Sequence, residues 1–96
     1  YPKEIEDAIY GLPQVAEVAV FGIPDDKFGE VPAAFIQLKP GATLHEADVV
    51  ARCEAQLARL KRPRLVRFVD SFPKTPIGKI QKNLLKAPFW EGRKKI

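Results

Sequence analysis

The chain contains a single cysteine and a single histidine in 96 residues. Cys53 therefore has no partner for an internal disulfide, and with His45 alone beside it no Cys/His set can form around a metal. This argues against zinc chemistry and Cys/His nucleophilic catalysis, so no metal site is expected. Long apolar stretches are missing too. None approaches the ~18 residues of a membrane span, and no basic-then-apolar leader opens the chain, so no membrane span is expected and the protein is read as cytoplasmic. Repeats and low-complexity tracts are absent. The length suits one small domain burying somewhat over ~60% of its unfolded surface, which leaves no room for a second core or for a large enzyme's own deep cleft.

The hydrophobic share of 46% and charged share of 29% fit a globular domain and exclude a disordered or collagen-like chain. A net charge of +4 conceals an uneven split. Residues 1–58 hold four basic and ten acidic side chains, whereas residues 59–96 hold twelve basic ones against only Asp70 and Glu91. Such asymmetry fits an anionic partner, whether nucleic acid, nucleotide, phosphorylated cofactor or an acidic face of another domain. It fits a solvated basic surface equally well.

Helical spacing of Ile5, Ala8, Ile9 and Leu12, with Pro2 at a first helical position, predicts a helix over residues 1–12 that Gly11 and Pro13 end. Residues 15–23 are apolar and β-branched with only Glu17 charged, the pattern of a buried strand, and residues 31–38 give a second. The turn cluster between them predicts a hairpin with a broad loop. Thr43 and Glu46 are spaced as a capping box, after which Ala47, Val49, Val50, Cys53, Leu57 and Leu60 trace one helical face ending before Pro63. On that face Cys53 reads as a small core residue rather than a reactive thiol. His45 reads as a surface residue. Alternation over 65–70 predicts a third strand, and residues 79–86 return to helical composition. The order helix, strand, strand, helix, strand, helix predicts an α+β fold with a small three-stranded sheet covered by helices.

One loop is chemically distinctive. Pro73-Lys74-Thr75-Pro76-Ile77-Gly78-Lys79-Ile80 sets two prolines, a glycine and a lysine between the last strand and the last helix. The prolines stiffen the approach, and Gly78 opens backbone angles closed to other residues just before Lys79. A phosphate-cradling P-loop would need glycine where Pro73 stands and Ser or Thr where Ile80 stands, so this is not that motif. On spacing alone, Lys79 could be an ordinary solvated lysine.

The longer run, Phe72 through Lys82, closely resembles the Pro-Lys-Thr-x-x-Gly-Lys-Ile-x-Lys/Arg signature near the C-terminus of adenylate-forming enzymes, especially acyl-CoA synthetases. Tyr1-Pro2-Lys3-Glu4-Ile5-Glu6, Gly22-Ile23-Pro24-Asp25 with Phe28-Gly29-Glu30, and Leu60-Lys61-Arg62-Pro63-Arg64 resemble other landmarks of that family in the same order. The resemblance implies that residues 1–96 are the small mobile lid domain of such an enzyme, its large N-terminal adenylation domain and hinge lying outside this sequence. It implies an acid–thiol ligase that consumes a carboxylic acid, ATP with Mg2+, and CoA, these bound mainly by the N-terminal domain. Lys79 matches the family's catalytic lysine, on a loop positioned by Pro73, Thr75 and Gly78.

Lys61 and Arg62 stand where relatives contact the CoA nucleotide, although two basic residues ending a helix also suit the helix dipole. Lys27 is a weaker candidate, since the basic residue of some relatives is here the neighbouring Phe28. The Pro73-to-Lys79 spacing resembles sites that protein acetyltransferases modify, which implies acetylation of Lys79 as an off-switch. The tail from Leu84 to Arg93 resembles the ends of fatty-acid and related synthetases, with Phe89 and Trp90 expected to dock on the domain. Two rivals remain: a basic α+β nucleic-acid-binding module, and a free-standing acetyltransferase substrate or interaction domain. Nucleic-acid readers of this shape present exposed sheet aromatics, whereas Phe21, Phe35 and Phe68 are expected in the core.

Overall fold

The computed structural model describes residues 2–92; Tyr1, Arg93 and the rest of 93–96, which the expected first helix and tail included, lie outside the described residues. The apolar run becomes β1 (Val15–Asp25), which pairs antiparallel with β2 (Gly29–Leu38). The connection is tighter than the broad loop expected. Asp25 pairs with Gly29, the Asp25 Oδ2 accepts from the Lys27 and Phe28 N–H groups at 3.0 and 2.8 Å, and Gly29 takes φ +80°. The Asp side chain thus replaces backbone pairing inside the turn.

β3 (Leu65–Phe68) lies parallel to β2, giving the order β1-β2-β3. A parallel return needs a crossover, and α2 (Glu46–Gln56) supplies it. With both sheet faces buried, alternate residues of one strand serve two cores. On one face Val18, Val20, Ala34, Ile36 and Val66 pack against α1 (Pro2–Tyr10) and α2. On the other Ala19, Phe21, Ala33 and Phe35 pack with Phe72 and with Ile80, Leu85 and Phe89 of the last segment, which ends in α3 (Lys82–Trp90). This is the expected α+β arrangement, a three-stranded sheet covered by helices. Removing a fully buried side chain such as Ile36 would cost about 2–5 kcal/mol.

β1 is an edge strand whose outward polar groups are covered by side chains. The Val18 N–H donates to the Tyr10 hydroxyl at 3.2 Å and the Val20 N–H to Glu6 Oε2 at 2.8 Å. Trp90 Nε1 donates to the Gly22 carbonyl at 2.9 Å. Phe89 joins Phe21 and Phe35 in a ring cluster with centroids 6.2 and 6.1 Å away, so both tail aromatics dock on the domain as expected. The edge is closed to stray strand pairing.

Several local expectations are corrected. The capping box sits two residues later than Thr43 and Glu46: His45 is the N-cap and its N–H donates to Asp48 Oδ2 at 3.0 Å. Leu44 before the cap and Val49 after it are both buried in one cluster, a hydrophobic staple that sets the later start. The helix also ends sooner, at Gln56, and a 3-10 turn (Arg59–Lys61) follows. Leu60 is consequently 72% exposed instead of part of the core, because Pro63 and the return to β3 force the chain off the helical path. Phe68 is 36% exposed: it shares the Val66 face but sits at the open end of a short edge strand. The last helix begins at Lys82, which leaves Lys79 on the loop before it.

Candidate active-site loop

The segment from Pro73 to Gln81 folds back on itself. Lys74 and Ile80 form an antiparallel bridge, the Gln81 N–H donates to the Pro73 carbonyl at 2.9 Å, and the Thr75 N–H to the Lys79 carbonyl at 2.8 Å. The tip is a β-turn closed by the Gly78 N–H on the Thr75 carbonyl at 2.8 Å, with Pro76 at the position where its fixed φ costs nothing. Gly78 then takes φ +88°, a left-handed angle that a side chain disfavours by about 1–2 kcal/mol. The Lys79 N–H finishes the loop by donating to Thr75 Oγ1 at 3.1 Å. Pro73, Thr75, Gly78 and Lys79 are thus brought together in one small hairpin. A three-residue tip with glycine at the left-handed site is a common hairpin solution.

Ile80 packs into the core under α3, so alternation turns its neighbour Lys79 away from the core, and Lys79 is exposed. Ile77, at the tip, is 89% exposed. Lys79 differs from the lysines beside it. Lys74 Nζ pairs with Glu17 Oε2 at 2.7 Å and Lys82 Nζ with Glu6 Oε2 at 2.8 Å. Among the described residues, no carboxylate pairs with Lys79.

Lys61 and Arg62 lie apart from this hairpin, in the turn between α2 and β3, and both are engaged. Lys61 Nζ is 2.9 Å from Glu4 Oε1. Arg62 donates through Nε to the Leu57 carbonyl at 3.1 Å and through Nη2 to the Glu54 carbonyl at 3.3 Å, holding the end of α2. Between this turn and the β1–β2 connection lies a feature the sequence reading missed. Phe28 is 48% exposed, and Lys27 Nζ and Arg64 Cζ each lie 5.3 Å from its ring centroid. A phenylalanine in an otherwise polar turn was the available signal. A cavity of about 230 Å³ lined by Val50, Cys53, Glu54, Arg59, Arg62 and Arg64 adjoins it.

Cys53 lines that cavity but is buried, and burial pushes its thiol above the ordinary 9.0 despite the opposing pull of Arg52 and Arg62. A protonated thiol at neutral pH is a poor nucleophile, which agrees with a packing role. Among the described residues no cluster of three His, Cys, Asp or Glu side chains could hold a metal ion, and no helix is long and apolar enough to cross a membrane. Phe21 and Phe35 are buried beneath α3, which removes the sheet-face platform on which the nucleic-acid reading depended.

Comparison with known proteins agrees with this geometry. Residues 4–79 match the model of the AMP-binding enzyme C-terminal domain. The chain is 55% identical over 86 residues to a (7a-methyl-1,5-dioxo-octahydro-1H-inden-4-yl)propanoyl:CoA ligase of Rhodococcus jostii (strain RHA1), covering 90% of this chain and 17% of that protein. It is 43% identical over 89 residues to the long-chain-fatty-acid–CoA ligase FadD13 of Mycobacterium tuberculosis, covering 93% and 18%. The crystal structure of apo MatB from Rhodopseudomonas palustris superposes with a TM-score of 0.88 at 43% identity, over 96% of this chain and 18% of that one. The chain therefore spans less than a fifth of the length of these relatives. With the family model covering most of the sequence and the loop, sheet and helices in place, the chain belongs to the AMP-binding enzyme C-terminal domain family.

Proposed function

We propose that residues 1–96 are the lid domain of an acyl-CoA synthetase, which delivers Lys79 to the larger domain for adenylation and then helps build the site of thioester formation. The observation that carries this reading is the selective pairing on the hairpin: Lys74 and Lys82 have carboxylate partners, and the exposed Lys79 between them has none among the described residues. ATP bound with Mg2+ supplies an activated α-phosphorus, which a carboxylic acid attacks as pyrophosphate leaves. Carboxylate and phosphate repel each other. The Lys79 ammonium, aimed by a stiff loop, offsets that repulsion as negative charge moves onto the phosphate oxygens. Its compact charge and three donors suit a shifting target better than a planar guanidinium. In this reading the magnesium ion comes with the nucleotide and is held mainly by the N-terminal domain.

CoA brings the thiol that displaces AMP, and its nucleotide end carries a purine and several phosphates. The exposed Phe28 ring with Lys27 and Arg64 beside it fits a stacked base with neighbouring phosphate, and Lys61 and Arg62 extend the basic strip. Acetylation of Lys79 by a protein acetyltransferase would delete the charge on which adenylation depends, and so switch the enzyme off. The test is Lys79→Ala in the full-length enzyme. Adenylate formation is expected to fall ~10²–10³-fold while thioester formation from supplied acyl-adenylate persists. Equal loss of both half-reactions would contradict the assignment.

A further inference from the structure

We infer that Glu6 is a positioning residue for the Lys79 hairpin, acting through Lys82; this rests on the adenylation role proposed for Lys79. Lys82 is the first residue of α3, where a cation opposes the helix dipole, and no acidic residue occupies that helix's first turn. The missing negative charge comes from another element. Glu6 on α1 places Oε2 2.8 Å from Lys82 Nζ. The same oxygen accepts the Val20 N–H at 2.8 Å, and the Glu6 side chain is only 19% exposed. It is therefore held against the backbone of β1 and cannot follow Lys82 about the surface. One carboxylate oxygen ties α1, β1 and the start of α3 together.

That junction lies three residues beyond Lys79, across a stem closed by the Gln81 N–H on the Pro73 carbonyl. The other arm of the stem is held by Lys74 on Glu17 at 2.7 Å, and Ile80 anchors the middle in the core. The hairpin is thus fixed at three points on the domain. Releasing the Lys82 point lets the stem tilt about the other two, and the tip amine moves furthest. A displacement of ~1 Å at a reacting centre can cost ~10²-fold, so loosening one of three anchors should cost about tenfold.

The experiment uses the full-length enzyme. Glu6→Gln keeps an acceptor for the Val20 N–H but removes the charge, and Lys82→Met keeps the apolar stem of the side chain. Each is expected to lower kcat for adenylate formation about tenfold, with the double variant no worse than the poorer single one because both break the same tie. KM for ATP and for the acid, and thioester formation from supplied acyl-adenylate, should stay near wild type. Lys82→Arg should restore most of the rate. Parallel loss of both half-reactions with a lowered melting temperature would mark a merely structural tie and overturn the inference, as would wild-type adenylation in both single variants. Lys79→Ala measured alongside separates the two levels. If it abolishes adenylation while Glu6→Gln and Lys82→Met are unaffected, only the positioning role fails; if it leaves adenylation intact, the reading beneath it fails.

Discussion

The two basic stretches of this domain treat their cations in opposite ways. On the hairpin, the outer lysines are neutralised by Glu6 and Glu17, and the central Lys79 is left facing solvent. In the turn after α2, Arg62 is consumed in capping helix carbonyls and Lys61 meets Glu4. The difference teaches that a cluster of basic residues is not a uniform anion site. A cation without a partner can act on a substrate at once, whereas an engaged one must first exchange its partner and gives up part of the gain. The first arrangement suits a catalytic group and the second a reversible binding surface.

The sharpest break of this comparison is Lys79→Ala against Lys61→Ala in the full-length enzyme. The first is expected to cost ~10²–10³-fold in adenylation, and the second no more than a severalfold rise in KM for CoA. Next comes Phe28→Ala, which removes a stacking surface of about 1–3 kcal/mol and should raise KM for CoA roughly 5- to 150-fold while adenylation is unchanged. An unaltered KM would remove the ring from the proposed CoA site. Gly78→Ala meets open space but forces a side chain onto φ +88°, so adenylation should drop about tenfold from a misaimed amine. Wild-type kinetics there would show that the loop tolerates another turn.

Smaller effects sharpen the other side. Glu4→Gln weakens a half-exposed pair worth about 0.2–1 kcal/mol, so CoA should bind up to ~5-fold more tightly; weaker binding would mean that Glu4 orients Lys61 for its ligand. The smallest is a pH effect. Because burial raises the Cys53 pKa, the unfolded chain ionises first, so its contribution is intact below the unfolded value near 9.0 and declines as pH rises beyond it. Denaturation midpoints of wild type and Cys53→Ala, followed from pH 7 to about 10.5, should converge as the pH rises.

The fold was legible because its signals are local. The run from Val15 and the 3.6-residue spacing of Val49, Cys53 and Leu57 specify which faces are buried regardless of what lies opposite. The stiff loop and the freedom of Gly78 were legible for a similar reason, whereas its closure into a hairpin through the Lys74–Ile80 bridge, where helical composition had been read from Lys79 onward, was not. Leu60 was misplaced because it continues an apolar pattern past the end of α2, and Phe68 because it closes a short edge strand, and only neighbouring layers decide where cover stops. Phe28 was read only as a departure from a basic position because its value lies in Lys27 and Arg64 converging on it, the second from 36 residues along the chain.

By itself the sequence determined the element order, the two apolar faces, the left-handed glycine before Lys79 and the segregation of acidic from basic residues, because each depends on bonded neighbours or on spacing along one element. Which charges remain available was decided only in three dimensions. Glu4, Glu6 and Glu17 from the acidic half reach Lys61, Lys82 and Lys74 of the basic half. Coulomb attraction acts through space and not along the chain, so which hairpin lysines find carboxylates, with Lys79 left without one among the described residues, is a property of the folded molecule.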